Sequence, residues 1–130
     1  MAGFSDYLED KVLEHVFGGN AYSAPSTLYV ALYTSAPSDT GGGTEVSGGG
    51  YVRKASAFTV SGTNPTTASN TGAVEYPTAT ANYGTVVAVG IFDALSSGNL
   101  LAYANLTESK VVSTGDVFRF NAGDLDVTLS

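Results

Sequence analysis

The chain has 130 residues, enough for one domain that buries roughly two-thirds of the surface its unfolded form exposes. Only 13% of the residues are charged, and 5 Lys and Arg against 12 Asp and Glu leave a net charge of −7. That balance excludes a basic stripe for nucleic acid or for an anionic membrane surface. The lack of cysteine excludes disulfides, thiolate zinc sites and cysteine nucleophiles.

The segment from Met1 to Phe17 carries Asp6, Glu9, Asp10 and Glu14. It lacks the basic start and the apolar run of a signal peptide, so synthesis in the cytoplasm is expected. No apolar stretch approaches the ~18 residues a membrane span needs. Phe4, Leu8, Val12 and Val16 recur at spacing four, and Leu13 and Phe17 widen the stripe. This predicts a helix over about 5–17, with Ser5 as N-cap, acidic residues in the early turns and Gly18-Gly19-Asn20 as the stop. Its apolar face packs either on the protein's own core or on a partner.

A β domain is predicted over about 27–130. Thr27 to Thr34 reads as a strand with Leu28, Val30 and Leu32 on one face and Tyr29, Ala31 and Tyr33 on the other. Both faces are apolar or aromatic, which predicts a central strand covered on both sides. Ser35 to Gly50 reads as a long loop with two glycine triplets, a length that points to an interface or functional role. Tyr51 to Ser61 is read as one strand, Ser61 to Thr71 as a polar connection, and Ala73 to Pro77 as an edge strand. Gly84 to Ala94 and Asn99 to Leu106 form a hairpin around Leu95 to Gly98. Short strands follow at Lys110 to Val112, Val117 to Phe120 and Asp124 to Leu129. The predicted class is all-β, an antiparallel β-sandwich or open β-barrel with one N-terminal α-helix.

Chemistry-bearing constellations are scarce. His15 is the only histidine and sits on the helix, without a second histidine for a metal set or a Gly-x-Ser-x-Gly elbow for a triad. Glu45, Glu75, Asp93, Glu108, Asp116, Asp124 and Asp126 are the carboxylates from which a glycan-cleaving or glycan-binding pair would be drawn. Asp124 and Asp126 alternate, which places both on one strand face and is read as a solvated face rather than a cation site. Asp93 is read as a turn-shaping residue. The glycine clusters lack the following Lys of a phosphate loop. No catalytic residue, metal site or cofactor is expected.

Met1 to Gly19, Leu28 to Arg53, Val89 to Ala94 and Ala122 to Ser130 together resemble small structural proteins of tailed bacteriophages. Members of that family commonly carry the name phage tail fibre protein. The resemblance covers nearly the whole chain and implies a non-enzymatic virion protein made in the host cytoplasm. Because no collagen-like, coiled-coil or β-helical repeat is present, the expected role is capsid decoration. A decoration protein of this kind binds the major capsid protein on the capsid exterior and self-associates, as a homotrimer. A tail fibre or baseplate component for host attachment is the alternative. Phe4, Leu8, Val12, Glu45 and Tyr51 are the expected interface residues.

Overall fold

A computed structural model describes residues 3–129. One helix, α1 (Asp6–Val16), precedes ten strands. The strands are β1 (Leu28–Ser35), β2 (Thr44–Glu45), β3 (Lys54–Ser56), β4 (Phe58–Ser61), β5 (Thr66–Asn70) and β6 (Val74–Glu75), then β7 (Gly84–Phe92), β8 (Leu100–Val112), β9 (Arg119–Phe120) and β10 (Asp126–Leu129). The class is all-β with one N-terminal helix, and every strand pairing is antiparallel. The sheets stay open, and no barrel closes.

The large sheet runs β2-β1-β7-β8, with β3 also pairing with β1. β1 lies inside it because both of its faces are apolar. Val30 and Leu32 enter the main core, while Ala31 and Tyr33 join Ala88, Phe92 and Leu100 on the opposite face. The main core is aromatic. Tyr51 stacks on Tyr76 with ring centroids 5.9 Å apart, and Tyr76 meets Phe118 edge-on at 6.0 Å. The Tyr76 hydroxyl, fully enclosed, donates to the Val30 carbonyl at 2.8 Å. Such a partner is what makes burying a phenol tolerable.

A second sheet has the order β10-β5-β4. Its registers align Val60, Ala68 and Val127 in one row and Thr59, Ser69 and Asp126 in the next. Successive rows point to opposite faces, so one face is apolar and the other is Thr, Ser and Asp. β6 and β9 form a separate two-stranded ribbon.

Four expectations need correction. Lys110 to Val112 is not a separate strand but the far end of β8, which runs on from Leu100. Tyr51 to Ser61 is not one strand: β3 pairs with β1 in the large sheet and β4 with β5 in the small one. The chain changes sheets at Ala57, whose carbonyl accepts from the Thr71 amide at 3.0 Å. The polar connection over 61–71 contains β5, the middle strand of the small sheet. Its Thr and Ser content reads as loop until the partner strands supply an apolar face. The loop over 35–50 is not free of structure either. It contains β2, Val46 is in the main core, and a backbone turn closes between Ser38 and Gly41. Gly43 and Gly49 belong to this anchoring. Both have positive φ, and a Cβ would lie 2.5 Å from the Ser35 carbonyl oxygen at Gly43 and 2.7 Å from that of Ala81 at Gly49.

The helix begins and ends where expected. Ser5 caps it by accepting from the Leu8 amide at 3.2 Å. At the other end Gly19 takes a positive φ, while the Asn20 amide returns to the Glu14 carbonyl at 3.0 Å. No helical residue is buried. The attachment is concentrated at the start, where the Ser5 amide donates to the Leu101 carbonyl at 2.8 Å and the Asp6 amide to that of Asp39 at 2.9 Å. The Ser5 hydroxyl also donates to the Leu100 carbonyl.

Candidate functional site

Two features stand out: a polar clamp around the buried Arg53 on the edge of β1, and an open apolar groove between the sheets. The clamp fills the gap that β2 and β3 leave along that edge. Arg53 is 8% exposed yet charged, and Glu45 answers it with a bidentate pair. Nε meets Oε2 at 2.9 Å and Nη2 meets Oε1 at 2.9 Å. Nη1 donates to the carbonyls of Ala94 at 3.0 Å and Ser97 at 2.8 Å, which ties the β7–β8 turn to the clamp. The guanidinium carbon stands 3.7 Å from the Phe92 ring centroid, a cation–π arrangement.

Tyr51 extends the same network. Its hydroxyl donates to Glu45 Oε2 at 2.7 Å and accepts from the Leu32 amide at 3.0 Å, while the Leu32 carbonyl takes the Val46 amide at 2.9 Å. The buried gap in the edge pairing of β1 is thereby satisfied without a continuous neighbouring strand. Burial pushes the phenols of Tyr51 and Tyr76 well above their ordinary range, and it raises Tyr33 to about 12 with help from Glu45. For Arg53, burial disfavours the charge, but the hydrogen bonds and charge of Glu45 outweigh it and hold the group ionised. Glu45 and Tyr51, two of the expected interface residues, thus have their polar atoms engaged inside the protein.

The groove lies where the apolar face of the small sheet overhangs the large one. Leu28 and Ile91 form part of one wall, Val60, Val127 and Leu129 part of the other, over a volume of about 440 Å³. The register between β7 and β8 slips between Ile91 and Phe92. Phe92 pairs with Leu100, which packs on the far face, and Ile91 pairs with Ala102, so the intervening Leu101 is left over to line the groove. Phe4 bridges to Ala102 on the outer edge of β8, and Phe4 and Leu8 both line the groove. Val12 is half-buried on the helix and does not line it.

The helix stripe continues past the groove into solvent. Leu13, Val16 and Phe17 are 58%, 61% and 82% exposed. Val60 and Leu129 on the groove rim are 67% and 61% exposed. The apolar spacing of α1 was readable in the sequence. The groove as a whole carried no local signal, because its lining is assembled from the start of the helix and from β1, β4, β5, β7, β8 and β10, segments far apart in the chain.

The candidate carboxylates are dispersed: Glu108 is exposed on β8, and the others are engaged in local structure. Asp93 braces the β7–β8 turn, accepting from the Asn99 amide at 2.7 Å and the Asn99 side chain at 3.0 Å. Asp116 accepts from the Ser113 amide at 2.9 Å and Asp124 from the Asn121 amide at 2.8 Å, each closing a turn. Asp126 accepts from the Ser69 hydroxyl. Glu75 pairs with Arg119 at 3.1 Å on the surface, both more than a third exposed. His15 accepts from the Tyr22 amide at 3.1 Å, which folds the following segment back on the helix. Among the described residues, no group of three or more His, Asp or Glu is placed to hold a metal ion, and no buried side-chain polar atom lacks a partner.

A search of curated proteins finds no match to the chain. Residues 3–128, however, match the family described as podophage GP4 fiber I protein gp80. The chain belongs to that family of phage fibre proteins, structural components of the virion.

Proposed function

We propose that this protein is a non-enzymatic component of the phage tail fibre apparatus, acting through protein–protein contact in host attachment. The observation that carries this reading is the extent of the family match, which runs over residues 3–128 and so concerns the whole fold. The chemistry of the chain supports it. Asp93, Asp116 and Asp124 are spent on turns, and exposed apolar residues cluster at the helix end (Leu13, Val16, Phe17) and on the groove rim (Val60, Leu129). Exposed apolar residues gathered in this way mark contact surfaces rather than catalytic ones.

A second reading is decoration of the capsid exterior by binding the major capsid protein, as a homotrimer. It is favoured by the absence of any shaft-forming repeat in the sequence. Immunogold electron microscopy of intact virions separates the two. Gold at the tail or its appendages supports the fibre reading. Gold spread over the head overturns it in favour of decoration. Copy number gives an independent answer: tens per particle or fewer go with tail appendages, and hundreds with the head.

A further inference from the structure

We infer that the exposed end of α1 in one copy docks into the apolar groove of a second copy. The two surfaces are complementary in kind. Leu13 and Val16 of α1 and its C-cap residue Phe17 stand at spacing i, i+3 and i+4, by which a helix reads an apolar groove. The groove between the sheets is open and apolar, with a volume of about 440 Å³.

The same chain cannot make this contact with itself as it is folded. The hydrogen bonds of Ser5 and Asp6 pin the start of the helix at the outer edge of β8. Leu8 reaches the groove, but Leu13, Val16 and Phe17 do not line it. The segment after the helix is folded back on it by the Tyr22–His15 and Asn20–Glu14 contacts, so the helix end is held outside its own groove.

The area is of the right order. Phe17, 82% exposed, offers roughly 120–200 Å². With Leu13, Val16, Val60 and Leu129, each more than half exposed, a copy offers on the order of 500 Å² before the groove walls are counted, against about 800 Å² per partner in a stable interface. Each copy has one helix end and one groove, so the contact forms a reciprocal pair, a closed ring or an open chain of copies, according to the rotation between neighbours. Charge opposes the contact, because each copy carries −7. Added salt screens that repulsion and strengthens the association.

The inference does not depend on where in the virion the protein sits. Its test is the mass of the purified full chain by light scattering or sedimentation, with Phe17→Asp and Val60→Asp as variants. Both residues are exposed, so the far-ultraviolet spectrum, and the unfolding midpoint measured at dilution where every chain is monomeric, should stay near wild type. The expected result is a wild-type oligomer that tightens with salt and weakens by about 30-fold or more in either variant. The chain has no cysteine, so Phe17→Cys protein mixed with Val60→Cys protein should form a disulfide between the two different chains. A wild-type chain that remains monomeric overturns the inference and leaves the groove to another protein or a small apolar ligand. So does an oligomer that loosens with salt or survives both aspartates, or a mixture in which Phe17→Cys pairs only with itself.

Discussion

Along one edge of β1, the Arg53 guanidinium is surrounded by Glu45, Phe92 and two carbonyls. Leu28, at the start of the same strand, opens onto a groove lined by Val60 and Leu129. The difference follows from the kind of group each region contains. A buried charge left without a partner costs several kcal/mol, so the clamp must be complete within each folded chain. Apolar surface in water carries a smaller, non-directional penalty, so it can remain open until another surface covers it. The clamp therefore belongs to stability and the groove to association.

Glu45→Ala is the strongest test of that division. It leaves the Arg53 charge enclosed without its carboxylate, and the expected loss is about 3–5 kcal/mol in denaturant unfolding. Replacing the pair together, Glu45→Leu with Arg53→Met, should recover much of that loss. If the single and double variants are equally unstable, side-chain packing rather than charge holds the edge.

Tyr76→Phe is next. It removes the hydroxyl that satisfies the enclosed Val30 carbonyl, and about 1–3 kcal/mol should be lost. A smaller loss would mean that the carbonyl finds another partner, so that the aromatic core is less tightly closed than the clamp.

The tyrosines also supply a pH test. Folded Tyr33 is raised from 10.0 to about 12, so between those values the unfolded chain releases this proton and the folded chain keeps it. The unfolded state then binds fewer protons, and stability falls as pH rises. The contribution is intact below pH 10 and declines by up to about 1.4 kcal/mol per pH unit for each such phenol. Tyr51 and Tyr76, raised in the same direction by burial, steepen the decline. Tyrosinate absorbance should show Tyr33, Tyr51 and Tyr76 ionising together with unfolding, above pH 10.

The smallest effect should come from the groove rim. Val60→Thr replaces an exposed methyl with a hydroxyl and should change the stability of an isolated copy by less than about 0.5 kcal/mol. A larger loss would show that the small sheet depends on its rim, and the contrast with the clamp would narrow.

The helix and β1 were legible in the sequence for a common reason. Phe4, Leu8, Val12 and Val16 keep a spacing of four, and the alternation of Leu28 to Tyr33 places apolar groups on both faces of a strand. Both patterns are local. β5 was not legible, because Thr66 to Asn70 acquires its role only when β4 and β10 align Val60 and Val127 beside Ala68. Arg53 was assigned to a strand face, but its partners are a carboxylate beyond a glycine triplet and carbonyls at Ala94 and Ser97. Among the expected interface residues, Phe4 and Leu8 line the groove, whereas Glu45 and Tyr51 are held in the clamp.

By itself, the sequence determined the helix, the central strand β1 and the β7–β8 hairpin, with the apolar faces of the helix and β1, because spacing and turn residues act over a few positions. It also determined the low charge and the absence of thiol chemistry. Only the tertiary structure decided where Arg53 finds its countercharge, which strands share a sheet, and that an apolar face overhangs into an open groove. Those outcomes depend on pairings between residues far apart in the chain, and no local spacing encodes them.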